Sequence, residues 1–157
     1  MEKRIITDIS PDRQKQATGW LNLEPVADVE VTSESSEHPI EAALLSNTER
    51  GWRAAQPGAQ SIRLLFKKPQ DLHRIHLIFL ENAIKRTQEY VLRWSGDDGL
   101  TWNEIVRQQW NFSPDGSTRE TEDHTVALAG VTGLELTITP DISGERAFAS
   151  LEKLRIA

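Results

Sequence analysis

Glu89-Tyr90-Val91-Leu92-Arg93-Trp94-Ser95-Gly96-Asp97-Asp98-Gly99-Leu100-Thr101-Trp102 decides the fold class. Tyr90, Leu92 and Trp94 alternate with Val91 and Arg93, the period of a strand with one buried face. Ser95 to Gly99 then gathers turn residues, and Asp98-Gly99 supplies the positive-φ positions that a right-twisted hairpin needs. A second strand follows from Trp102 to Trp110 around Ile105 and Val106. The stretch therefore predicts an antiparallel hairpin.

The same period recurs outward in both directions. Strands are expected at Ala27–Val31, Ser61–Phe66 (ending before Pro69), Arg74–Leu80, His124–Leu128, Leu134–Ile138 and Leu151–Ile156. Only Pro39–Leu45 has helical spacing, through Ile40, Ala43 and Leu44, with Pro39 near its start. About eight short strands with almost no helix predict an all-β, antiparallel β-sandwich of jelly-roll type. A parallel α/β sheet needs long crossover helices, and none is visible. The first 26 residues differ in character and read as an N-terminal extension, packed on a sandwich formed by residues 27–157.

Composition narrows the chemistry. The chain has 157 residues, enough for one domain. Lys and Arg number 18 against 24 Asp and Glu, a net charge of −6, which disfavours nucleic acid as a partner. Cysteine is absent, which excludes disulfides, thiolate-ligated metals and a thiol nucleophile. No apolar run is long enough to span a membrane. Met1 to Asp8 has no apolar signal core, so a cytoplasmic location is expected.

Ordered along the chain, several motifs resemble the discoidin, or coagulation-factor C-type, domain, a galactose-binding-like β-sandwich. They are Thr32-Ser33-Glu34-Ser35-Ser36, Gly51-Trp52-Arg53-Ala54, Ser95 to Trp102, and Ala149-Ser150-Leu151 with Leu154. The strongest is Ser95 to Trp102, similar to the family's Ser-x-Asp-Gly-x-x-Trp hairpin with one residue inserted. The resemblance covers about residues 27–157. It implies a non-catalytic binding module that recognises glycans, phospholipid headgroups or proteins through loops at one end of the sandwich. Two departures stand out. The terminal cysteine pair of secreted relatives is missing, and Lys153 stands where calcium-binding relatives place a carboxylate in the last strand.

The residues offer ligand-binding candidates in three connections. Trp52 and Arg53 form one, although Trp52, like Trp94 and Trp102, also reads as a core or hairpin residue. Glu81, Asn82, Arg86 and Gln88 form a polar connection able to hydrogen-bond vicinal hydroxyls; the alternative is a solvated turn with Arg86 paired to Glu81. Trp110 and Phe112 open a loop running to Asp123 and supply stacking faces. Arg107, with Gln108 and Gln109, is a similar polar candidate. Glu120, Glu122, Asp123 and His124 form an acidic cluster that reads as a solvated loop. His38, His73, His76 and His124 are scattered, so no metal site is expected, and no cofactor. No nucleophile elbow or phosphate loop appears, so the chain is read as a non-enzyme. The expected ligand is a glycan or other small polar molecule. The alternative is a protein partner, bound by an interaction domain of a cytoplasmic, DNA-repair-like scaffold.

Overall fold

The structure, a computed structural model, describes residues 19–45, 50–144 and 146–157. Of these, 62% are strand and 3% helix. In chain order they form β1 (Ala27–Val31), α1 (Glu41–Leu44), β2 (Trp52–Pro57), β3 (Gln60–Leu80), β4 (Arg86–Ser95), β5 (Asn103–Phe112), β6 (Arg119–Thr139), β7 (Phe148–Leu151) and β8 (Lys153–Ile156). The strands run β1–β3–β6–β4–β5, with β8 on β3, and β2 pairs with β7 in a two-stranded ribbon. Every pairing is antiparallel.

The sandwich arises because β3 and β6 are a single long ribbon folded over on itself. Gln60–Leu65 pairs with Gly133–Ile138, and Arg74–Leu80 pairs with Arg119–Thr125. Between them the register shifts at Leu65/Gln70, Gln70/Leu72 and Leu72/Arg74. Bulges of this kind bend and twist a ribbon. The first half lies beside β1 and β4; the second half carries β8. Pro69, expected to end a strand, falls in the unpaired stretch, where its missing N–H breaks no ladder bond. The strands expected at 61–66 and 74–80 are therefore one element, as are those at 124–128 and 134–138. Within the Gly51 to Ala54 motif, Trp52 begins β2.

The core lies inside the fold. Ile62, Leu64, Leu77, Phe79, Tyr90, Leu92, Leu134, Leu136, Leu154 and Ile156 are each at most 2% exposed. Of the expected N-terminal extension, residues 1–18 lie outside the described residues. The remainder packs on the sandwich: Leu21 N–H donates to Ile156 O at 2.7 Å, and Leu23 is buried. The expected helix shortens to one turn because Leu45 is already extended. Its C-terminal carbonyls meet Arg155, whose Nη1 donates to Ala43 O (2.8 Å) and Leu154 O (2.9 Å), and whose Nη2 donates to Leu45 O (3.0 Å). Burial lowers the Arg155 pKa from its usual value.

At the bend end of the sandwich the hairpin forms as expected. Asp98 and Gly99 take φ values of 58° and 86°. Ser95 Oγ donates to Asp97 Oδ1 (2.7 Å) and accepts from Gly99 N–H (2.9 Å). Asp97 also accepts from Thr101 N–H and Oγ1, at 2.9 and 2.6 Å. The Thr101 bonds above all push the Asp97 carboxyl down to about 2.

Candidate functional site

The opposite end of the sandwich is where β3 finishes and β4 begins, five residues apart. There the loop after Leu80, the start of β2 and the β7–β8 junction converge on a cleft of about 280 Å³. Its polar lining comes from His38, Arg50, Arg53, Asn82, Ser150 and Glu152, with Glu81 at its floor. Gly51 makes the convergence possible. A Cβ there would stand 2.5 Å from Leu151 O and 2.7 Å from the Glu152 Cα, so only glycine lets β2 approach the β7–β8 junction.

The floor is engaged within the protein. Glu81 Oε1 accepts from Arg86 Nε at 2.7 Å, and Glu81 Oε2 accepts from the Ala83 and Ile84 N–H groups at 3.0 and 3.2 Å. Burial pushes the Glu81 carboxyl up, but the hydrogen bonds from Arg86 and the loop outweigh it and hold the pKa below its usual value. Arg86 is 3% exposed. Its Nη1 donates to Gln88 Oε1 (3.0 Å) and Pro140 O (2.8 Å), and its guanidinium lies 4.8 Å from the Phe112 ring centroid. Gln88 Nε2 donates in turn to Glu120 Oε1 at 3.2 Å. A buried polar chain thus runs from the cleft floor into the sandwich.

The rim is different. Arg53 and Asn82 are exposed. No ion pair engages Arg50, Arg53 or Glu152 among the described residues. His38 Nδ1 lies 3.3 Å from Gly51 O. A carbonyl can only accept, so Nδ1–H is the donor in that contact. Beside the cleft, and sharing Arg53 with it, lies a more open depression of about 470 Å³ bordered by Glu34, Ser35, Ser36, Ala54 and Phe148.

The structure therefore brings four of the expected residues, Trp52, Arg53, Glu81 and Asn82, to one place, and divides their roles. Trp52 is 1% exposed and its Nε1 donates to Ser33 O at 3.0 Å, so its ring supports the cleft from below. Arg86 is a buried partner of Glu81. Trp110 and Phe112 lie on β5, not in a loop, because the strand continues to Phe112 and closes through a tight turn, with Ser113 N–H donating to Ser117 O at 2.9 Å. Phe112 is fully buried and Trp110 half-buried, and neither lines the cleft. The acidic cluster is also strand rather than solvated loop: Glu120 is fully buried on β6. Burial, with Glu122 adding to it, pushes the Glu120 carboxyl up to about 8. Asp123 pairs with Arg74, which holds its carboxyl below the usual range. Arg107 pairs with Glu89 and Glu104, away from the cleft. Among the described residues no group of three His, Asp or Glu side chains is placed to hold a metal ion. Sequence reasoning missed His38, Arg50, Ser150 and Glu152. Arg50 and Glu152 adjoin motifs that carry the family resemblance, and Ser150 lies within one.

Solved structures of carbohydrate-binding modules share this antiparallel sandwich fold. The family 32 carbohydrate-binding module of Clostridium perfringens NanJ in complex with galactose is similar over 83% of this chain and 92% of its own, with 14% identity and a TM-score of 0.61. The third such module from a family 31 glycoside hydrolase of C. perfringens covers 89% and 95%, with 19% identity and a TM-score of 0.63. A pectin-binding carbohydrate-binding module covers 83% and 89%, with 16% identity and a TM-score of 0.58. No curated protein sequence matches significantly. The sequence profile of the F5/8 type C domain matches residues 28–153, and the chain belongs to that family.

Proposed function

We propose that the protein is a non-catalytic carbohydrate-binding module whose site is the cleft at the β3–β4 end. The observation that carries this reading is the split between floor and rim. Glu81 and Arg86 are fixed to each other, while Arg53, Asn82 and Glu152 line the opening without ion-pair partners among the described residues. Guanidinium, amide and carboxylate groups that converge without partners are suited to vicinal hydroxyls, which both donate and accept. The volume lies at the small end of ligand clefts, roughly 300–1,000 Å³, and suits one sugar ring. Phe148, half-buried in the adjoining depression, offers a face for a following ring. The family 32 neighbours, one of them bound to galactose, support the same ligand class.

Among the described residues the exposed large apolar side chains are Val29, Leu80, Ile84, Leu100 and Ile142. Leu80 lines the cleft and Ile84 lies in the loop beside it, but the reading rests on the polar rim rather than on these side chains. A glycan array with the whole chain tests it, followed by titration of Asn82→Ala and Glu152→Gln against the best binder. Both variants should lose about tenfold or more in affinity, the worth of one or two ligand hydrogen bonds. Unchanged affinity in both would place the site elsewhere.

A further inference from the structure

We propose that the sugar bound in the cleft carries a carboxylate, held by Arg50 and Arg53. This rests on the cleft being a glycan site and names the class of glycan. The chain as a whole is acidic, at −6, yet the cleft is not. Among the described residues two guanidiniums line it, from Arg50 and Arg53, with two carboxylates, from Glu81 and Glu152. The Glu81 charge is already matched by Arg86 at 2.7 Å, and that pair is buried. Two uncommitted cations therefore face one uncommitted anion, 2 − 1 = +1, with the His38 ring beside them.

A neutral sugar makes no use of that excess. One guanidinium with one carboxylate or amide suffices for a pair of neighbouring hydroxyls, and Arg53, Glu152 and Asn82 already provide that set. A second arginine converging on the same small volume adds like-charge repulsion in the empty site, which a bound anion relieves. The guanidinium fork is also the group whose geometry matches a carboxylate, through two parallel N–H···O bonds. Uronic acids and sialic acids share the required chemistry, a polyhydroxylated ring bearing a carboxylate.

Titration calorimetry of the whole chain against matched pairs tests this: trigalacturonate with its methyl-esterified form, and sialyllactose with lactose, at 20 and 200 mM salt. The expected result is that the acid of one pair binds about tenfold tighter than its neutral partner at low salt, with the gap narrowing at high salt. The pair that shows the gap identifies the acid. Arg50→Gln should shrink that gap to about twofold with the melting temperature unchanged, since Arg50 is exposed. Equal binding within both pairs overturns the proposal and leaves the glycan reading standing. So does a gap that survives both Arg50→Gln and Arg53→Gln. Failure of all four ligands and of every neutral array glycan overturns the glycan reading, and this proposal with it.

Discussion

The two ends of the sandwich carry polar clusters in opposite states. At the bend, Ser95, Asp97 and Thr101 exchange hydrogen bonds among themselves and with the turn backbone. At the other end, Arg50, Arg53 and Glu152 border a cleft with no ion-pair partner among the described residues. The hairpin motif that most clearly marks the family is thus a closed structural knot. The polar groups available to a ligand lie outside it. Polar character alone does not separate the two ends. Whether a group already has a partner does.

The sharpest way to break the comparison is at the boundary inside the cleft itself. Arg86→Ala should cost about 3–5 kcal/mol, because it leaves Glu81 buried without its cation. Urea denaturation measures this, and a loss under about 1 kcal/mol would mean that the floor is no more committed than the rim. Ser95→Ala should come next, at about 1–3 kcal/mol, since it removes a fully buried hydroxyl that organises the hairpin. Glycan affinity should not change. A parallel loss of affinity would show that the two ends are coupled.

The third test uses pH. The folded-state pKa of Glu120 is raised, from 4.5 to about 8, so its contribution to stability is fully present below about 4.5 and is lost as pH rises through about 8. Melting temperatures should therefore fall between pH 5 and 9, and Glu120→Gln, the isostere of the neutral acid, should flatten that slope. An identical slope in the variant would show that Glu120 ionises normally. Asp97, whose pKa is depressed, has the opposite sign: its contribution is present above about 3.8 and is lost as pH falls through about 2. The smallest stability effect is expected for Asn82→Ala, within about 0.5 kcal/mol on an exposed loop. If instead it unfolds the protein, Asn82 belongs with the structural knot and not with the rim.

The fold was legible because strand period and turn chemistry are local. Tyr90, Leu92 and Trp94 announce a buried face, and Asp98-Gly99 announces the turn. The folding-over of β3 and β6 was not legible, since Pro69 reads as a stop unless the register shifts around it are known. Of the site, Arg53 and Asn82 could be read as polar groups in connections. The alternative of an Arg86–Glu81 pair was legible and is what the structure shows, but its burial was not read, although a signal was present. Arg86 and Gln88 are in phase with Tyr90 and Leu92, and Glu120 and Glu122 with Val126 and Leu128, so period 2 points them inward. Glu152 and Arg50 escaped because their cleft is assembled from segments about 100 residues apart, a juxtaposition that only the β2–β7 pairing creates.

Arg155 has a consequence for the conditions the domain tolerates. A buried positive charge ringed by the carbonyls of Ala43, Leu45 and Leu154 is the arrangement by which a bound ion ties loops together, but here the ion is part of the chain. A tether that cannot dissociate has no concentration dependence. Melting curves with a strong chelator and with millimolar calcium should therefore superimpose, whereas Arg155→Met should melt well below both. The clasp between the helix turn and the last strand is as constant in a metal-starved medium as in a calcium-rich one.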